Sequence, residues 1–377
     1  MKYVDAATGE TYPLEKPRWR GESGGHVNLT PGNGLRRGDI DVTRYSVWRY
    51  AAVIPVAAAG AVTLGEGWTP LVEREWDGAK ALFKLDFMMP TGSFKDRGMT
   101  VLVSYLRSCG IERVLEDSSG NAGASLSAYA AAAGLQSTIL VPETASYPKI
   151  AQIAACGADV VTIPGSRQDV ADAAERMSGE IFYASHNWVP LFAEGTKTLA
   201  FEVWEQLGFK APDNVVTPLG YGSNVIGCLR GFDELRSSGE IARLPRVFGI
   251  QAENCAPYFA AYRAGSEELV PTDIRPTIAE GIASSKPTRV KEVLAGVRES
   301  GGGIVAVSEA EIVDALRALA RRGIYVEPTS AAGAAGLTRL LHTGEITPDQ
   351  TTVLVLTGSG LKASERIGEL LKLRARR

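Results

Sequence analysis

One lysine ends an apolar run in the segment Pro90-Thr91-Gly92-Ser93-Phe94-Lys95-Asp96-Arg97-Gly98. Pro, Thr, Gly and Ser carry turn chemistry and helix formers follow, so the segment reads as a strand-to-helix junction with Ser93 or Thr91 able to cap the first N–H groups. Lys95 then stands at the positive end of a helix, where an ammonium is disfavoured. If it is also desolvated, its amine loses basicity and can act as a nucleophile or form a Schiff base. Taken alone, the same residues read more readily as a surface lysine after an ordinary turn. The design recurs, however, at Glu116-Asp117-Ser118-Ser119-Gly120-Asn121-Ala122-Gly123 and at Val215-Val216-Thr217-Pro218-Leu219-Gly220-Tyr221-Gly222-Ser223-Asn224. Each is an apolar strand running into a small, hydroxyl-rich loop and then a helix, which lets backbone N–H groups converge on an anion. A fourth strand, Val353-Leu354-Val355-Leu356, ends in Thr357-Gly358-Ser359-Gly360-Leu361-Lys362.

The elements that position these loops follow a βα rhythm. Val114-Leu115, Thr138–Val141, Val160–Ile163 and Phe182-Tyr183 read as strands, and 122–133, 147–156 and 168–177 as helices. Their spacing of roughly 20 to 25 residues is that of a parallel sheet. After Phe201 the pattern resumes with strands at Val215, Val247 and Val353, and with a helix at the capping box Ser308-x-x-Glu311. The expected class is α/β, with two parallel-sheet domains and a ligand cleft between them, the loops lying at the carboxyl ends of the strands.

A chain of 377 residues suits about two domains. Its 40 basic and 43 acidic residues nearly balance and form no long basic run, so neither nucleic acid nor an anionic membrane is an expected partner. No apolar run reaches the roughly 18 residues needed to span a bilayer, and the start at Met1 lacks signal-peptide regions, which makes the cytoplasm the expected compartment. Cys109, Cys156, Cys228 and Cys255 are scattered and only three histidines occur, so neither a metal site nor a disulfide framework is expected.

The set Leu64-Gly65-Glu66-Gly67-Trp68-Thr69-Pro70-Leu71, the Lys95 segment, the Ser-Ser-Gly-Asn loop, Glu194-Gly195-Thr196-Lys197-Thr198, the Gly220 loop, Glu327-Pro328-Thr329-Ser330-Ala331 and the Thr357 segment resembles threonine synthases and their relatives. These are tryptophan synthase β-type (fold type II) pyridoxal phosphate enzymes, and the motifs keep family order across residues 64–362. The resemblance implies pyridoxal 5'-phosphate as cofactor, with Lys95 forming the Schiff base and later taking the substrate Cα proton. It places the phosphate at Gly220, Tyr221, Gly222, Ser223 and Asn224, Asn121 on the ring hydroxyl, and Thr357 at the pyridine nitrogen. The substrate carboxylate would meet Ser118, Ser119, Gly120, Asn121 and Ala122, with His186, Asn187 and Phe192 as further substrate contacts; Ser119 and Asn121 would serve equally as helix caps. A neutral hydroxyl at the pyridine nitrogen leaves it largely unprotonated, which favours elimination over transamination or racemisation. The implied domains are a knuckle ribbon at 1–27, a large cofactor domain from 28–90 plus 200–377, and a smaller one at 91–199. Relatives often carry zinc-binding cysteines where Asp5, Thr8, Gly21 and Ser23 stand here, so no zinc is expected. A homodimer is expected by analogy alone.

The family pattern breaks in one place that bears on the substrate. Threonine synthases commonly read Asn-Pro-aromatic-Arg before Glu-Gly-x-Lys-Thr, and that Asn and Arg help hold the phosphate of O-phosphohomoserine. Here Val189 and Phe192 stand in their places. An Arg-to-Phe exchange removes a bidentate anion contact and leaves an apolar wall. Met88-Met89 and Ser359 depart from the pattern as well. Arg97, Lys197, His186 and Asn187 remain as candidate substitutes for the missing donors. The implied activity is a threonine synthase-like lyase or synthase of a small amino acid. β-Replacement or serine/threonine-type ammonia loss is the alternative within enzymes, and an idle amino-acid-binding homologue the one outside them. Trp68 could shape the cofactor cleft or fill a core; Glu365 and Glu369 read as a solvated helix face.

Overall fold

The computed structural model describes residues 1–143, 145 and 147–373, with 147–149 as backbone. Among the described residues the strands are, in chain order, β1 (Tyr3–Asp5), β2 (Thr11–Tyr12), β3 (Val27–Leu29), β4 (Leu71–Trp76), β5 (Ala79–Lys84), β6 (Arg113–Glu116), β7 (Gln136–Pro142), β8 (Asp159–Ile163), β9 (Phe182–Tyr183), β10 (Asn214–Pro218), β11 (Arg246–Ala252), β12 (Gly303–Val307) and β13 (Thr352–Val355). They fall into two compact units. The first holds Met1–Trp68, Met89–Thr91 and Lys95–Thr198; the second holds Thr69–Met88, Gly92–Phe94 and the chain from Leu199 onward.

In the first unit β8-β7-β6-β9 form a sheet with every pairing parallel. Alanine-rich helices such as Asn121–Ala133 lie against it, and Met99, Leu102, Leu115, Leu126, Tyr129, Ile139 and Val141 make a continuous apolar core. The amino-terminal residues form a separate antiparallel sheet, β2-β1-β3. It is welded to the same core: Tyr3, Trp19 and Val27 belong to it, and the Tyr3 hydroxyl donates to that of Tyr105 at 2.8 Å. At the positions where relatives carry cysteines, the Asp5 carboxylate gathers Ala7 N–H, Thr8 N–H, Ser23 N–H and the Ser23 hydroxyl. A side chain on Gly21 would sit 1.9 Å from Asp5 Oδ2, so the carboxylate fills the centre of the ribbon.

Residues 28–68 pack with this unit, whereas the sequence reading grouped them with the larger domain. Their anchors explain the difference. Trp48 Nε1 donates to Thr100 Oγ1 at 2.9 Å and Val62 N–H to Ser104 Oγ at 2.8 Å, both on the Lys95–Ser108 helix. Without periodic apolar spacing, the segment gave no signal of which helix it would cover.

The second unit is a six-stranded sheet of order β12-β11-β10-β13-β5-β4. Its pairings are parallel except that β4 runs antiparallel to β5, so the sheet is mixed at one edge. The reversal is made by Asp77-Gly78, both with positive φ (48° and 79°), a two-residue hairpin turn between Trp76 and Ala79. The Ser308–Glu311 capping box starts the helix Glu309–Arg321 as the sequence predicts.

Candidate active site

Lys95 is the first residue of the helix Lys95–Ser108 and is half-buried. The turn before it is tied down by a buried carboxylate. Asp96 accepts Thr91 N–H and the Thr91 hydroxyl at 2.8 and 2.6 Å, and the Ser125 hydroxyl at 2.6 Å. Ser93 Oγ is buried without a hydrogen-bond partner, so it does not cap the helix, and the Thr91 hydroxyl is engaged by Asp96. Asp96 was not singled out in the sequence, although its place directly after the lysine at a helix start was a signal.

Beside this helix lies Leu191–Thr196, at a distance only glycine permits. A Cβ on Gly195 would stand 1.9 Å from Arg97 O, and one on Gly98 would stand 2.3 Å from the Phe192 ring. Phe192 fills that space, 1% exposed, with its ring centroid 5.5 Å from Lys95 Nζ. Val189 is buried as well. The Phe192 ring is therefore an apolar neighbour of the lysine amine. Two of the candidate substitutes for the missing anion donors are committed elsewhere: Lys197 Nζ binds Glu194 at 2.5 Å and Val53 O at 3.0 Å, and Arg97 is buried with Nη1 3.3 Å from Thr198 Oγ1.

Parallel pairing of Leu115 with Tyr183 brings the loops after β6 and β9 to one sheet edge. From β6 come Ser118, Ser119 and the helix Asn121–Ala133, whose N-cap Gly120 has no side-chain cap. Capping by Ser119 is therefore not what the serine does here, and the helix start keeps the donor geometry of an anion site. Gly123 has no room for a side chain, since its Cβ would lie 1.9 Å from Ser118 O. From β9 come His186 and Asn187, both under 9% exposed. His186 Nδ1 is 3.1 Å from Oε2 of the fully buried Glu116, and its ring meets Phe192 edge-on at 5.6 Å. Burial pushes the Glu116 carboxyl up; burial and then the Lys95 charge push His186 well below its ordinary value.

In the second unit, paired strands β10 and β13 carry the other two loops at their carboxyl ends. Gly222 (φ 101°) is the N-cap of the helix Ser223–Ser237, with no side-chain cap, and a Cβ there would strike Val293 at 2.6 Å. Asn224, in the first turn, keeps Oδ1 buried without a partner. Tyr221 is half-buried and its carbonyl accepts the Tyr258 hydroxyl at 3.3 Å. After β13, Thr357 is 2% exposed and its Oγ1 lies 3.0 Å from Ser330 Oγ. Ser330 Oγ already accepts Thr357 N–H and Gly358 N–H, both at 2.9 Å, which occupies its two lone pairs. The Ser330 proton is thus left for Thr357 Oγ1 or for Gly358 O, 3.3 Å away. Ser330 thus holds the Thr357 loop, a role that its place in the Glu327–Ala331 motif does not by itself reveal. Phe94 N–H donates to Thr357 O at 2.9 Å.

The remaining sequence candidates are peripheral. Trp68 is half-buried against the Arg49 guanidinium, 4.3 Å from its ring, and Tyr45. Ser359 caps a short turn through Leu361 N–H, and Glu365 and Glu369 are exposed.

A half-buried amine at a helix start suits an aldehyde, and an uncapped, side-chain-free helix start suits a phosphate. The family described as pyridoxal-phosphate dependent enzyme matches residues 62–358. The chain belongs to the pyridoxal-phosphate dependent enzymes. This enzyme is 37% identical to the threonine synthase of Methanocaldococcus jannaschii, over 94% of its own length and 91% of that protein's. It is 39% identical to the threonine synthase of Methanosarcina acetivorans, covering 85% and 81% of the two chains. Its fold is similar to that of an L-serine ammonia-lyase from Rhizomucor miehei, with a TM-score of 0.70 at 21% identity over 81% of this chain and 97% of that one. The fold is thus α/β of the type II pyridoxal-phosphate class, and pyridoxal phosphate is the cofactor.

Proposed function

We propose that this enzyme is a threonine synthase-like lyase or synthase acting on a small amino acid whose side chain ends in a neutral or apolar group rather than a phosphate. The observation that carries this reading is Phe192, wedged over Gly98 with its ring against the Lys95 amine. When bound, pyridoxal phosphate supplies the electron sink that makes the substrate Cα proton removable. Lys95 holds the cofactor covalently and then accepts that proton. The N–H groups at Gly222–Asn224 and the Ser223 hydroxyl bind the phosphate. Those of Ser119–Ala122 bind the substrate carboxylate, and Asn121 takes the ring hydroxyl. Thr357, held in place by Ser330, faces the pyridine nitrogen without protonating it. Phe192 and Val189 line the side of the substrate distal to Cα and exclude water from it, while His186 and Asn187 contribute its polar contacts. The enzyme works as a cytoplasmic homodimer in this reading, by analogy with its family.

Ammonia loss from L-serine or L-threonine is the second reading, because an apolar wall suits a methyl or small hydroxyl side chain and elimination at Cβ requires no phosphate grip. A screen of amino acids against the absorbance band of the bound cofactor, followed by product analysis, separates the two. O-Phospho-L-homoserine should be the poorer substrate: each lost hydrogen bond to a charged group costs about 1.5 to 3 kcal/mol, or roughly ten- to a hundredfold in kcat/KM. Its efficient conversion to threonine would overturn the reading of Phe192.

A further inference from the structure

The first unit contains a cavity of about 540 Å3 that no step of the reaction uses. Its size falls within the roughly 300 to 1,000 Å3 of small-molecule sites. Three segments build it: Leu14 and Glu15 of the amino-terminal ribbon, the loop at 55–60, and the last turn of the helix Lys95–Ser108 with Cys109 just beyond. Hydrogen bonds between these segments fix its shape. The Tyr105 hydroxyl donates to Leu14 O at 2.5 Å and accepts that of Tyr3 at 2.8 Å. Val62 N–H, just past the loop, donates to Ser104 Oγ at 2.8 Å.

The lining divides by chemistry. The loop Pro55-Val56-Ala57-Ala58-Ala59-Gly60 carries no polar side chain, although Ala57, Ala59 and Gly60 are exposed. An apolar stretch left facing solvent beside a concave surface is the mark of a ligand groove. Glu15 and Arg107 line the same space with opposite charges. Among the described residues, neither side chain makes a hydrogen bond or an ion pair, with the other or with any neighbour. Two opposite charges that share a cavity without meeting are complementary to a ligand that carries both signs. The helix end adds to this polarity, because its last carbonyls are the negative end of the macrodipole and favour a cation. A guanidinium, in turn, suits a carboxylate in bidentate geometry.

We propose that this cavity is a binding site for a free α-amino acid with an apolar side chain. The carboxylate lies on Arg107, the ammonium on Glu15 and the carbonyl end of the helix, and the side chain on Leu14, Val56 and the loop alanines. The helix has 14 residues, so at roughly 1.5 Å each the site lies about 20 Å along it from Lys95. The bound amino acid does not compete for that lysine. It joins ribbon, loop and helix in the folded state only, so saturation raises the melting temperature.

Calorimetric titration of the holoenzyme with L-valine, L-leucine, L-isoleucine and L-methionine should reveal a saturable site whose filling leaves the cofactor absorbance unchanged. Arg107→Ala and Glu15→Ala should each weaken binding about tenfold or more, as loss of a charged contact implies. Both side chains are exposed, so the melting temperature without ligand should stay near native. Isoamylamine and isocaproate, which each keep one charge of leucine, should bind about tenfold or more weaker than leucine itself. Occupancy should also slow alkylation of Cys109, which lines the cavity, and not that of Cys156, which does not. These last two measurements use the native chain and need no variant to fold. Absence of saturable binding, binding that either variant leaves intact, or equal binding of a half-molecule overturns the proposal. So does binding that always changes the cofactor absorbance, since it then belongs to the Lys95 site.

Discussion

The residue scale is set by Lys95 and the ring that touches it. Borohydride reduction of the yellow holoenzyme should attach the cofactor to Lys95 and to no other lysine, which peptide mass spectrometry checks. Lys95→Ala should keep weak cofactor binding through the Gly220–Asn224 loop and lose turnover. Phe192 is packed in the space left by Gly98, so Phe192→Ala should cost about 3 to 5 kcal/mol in urea unfolding through lost burial and an unfilled cavity. Gly98→Ala should destabilise too, by overpacking against the same ring. A Gly98→Ala protein as stable as the native one would show that Phe192 is not seated where the structure has it.

At the scale of elements, the candidate binding groups are loops and helix starts, and neighbouring elements hold them in shape. Gly222 has φ 101° and no space for a Cβ, so Gly222→Ala should weaken cofactor retention on dialysis and lower the melting temperature. Ser330→Ala acts at one remove: it strips the partner from Thr357 N–H and Gly358 N–H, both beside a 2%-exposed threonine. Each buried orphan costs about 1 to 3 kcal/mol. The variant should unfold at clearly lower urea, and its bound cofactor should absorb at an altered wavelength because Thr357 is no longer held in place. An unchanged spectrum would sever Ser330 from the pyridine nitrogen.

Across the whole molecule, electrostatics predict a pH dependence of stability. Glu292 is raised by burial, yet Arg230 and Arg289 more than offset this and bring it from its usual 4.5 to about 2. Its folded value lies below its unfolded one, so its contribution of about 3 kcal/mol is present above pH 4.5 and is lost as the pH falls from 4.5 towards 2. Urea unfolding at pH 7 and pH 3 measures the loss, and Glu292→Gln should flatten that part of the slope. The amino-terminal ribbon carries the remaining prediction: with Asp5 at its centre, chelator-washed protein should contain no stoichiometric zinc by metal analysis. Asp5→Ala should loosen the ribbon by freeing the N–H groups of Ala7, Thr8 and Ser23.

Local chemistry made much of this protein legible in its residues alone. Strand-loop-helix junctions at Lys95, Asn121 and Ser223 are written in contiguous residues, because a helix start, a glycine turn and an apolar strand each have short-range causes. The βα spacing of 113–184 likewise dictates a parallel sheet, and Asp77-Gly78 is a hairpin signal of the same local kind. Tertiary structure alone decided which distant residues meet. Asp96 is joined by Thr91 and Ser125, Glu116 by a histidine seventy residues away, and Thr357 by Ser330. Residues 28–68 found their helix through Trp48 and Val62 rather than through any periodic pattern. Pairings of this kind depend on strand register and on where a missing Cβ lets two elements approach, and neither quantity is carried by any short stretch of sequence.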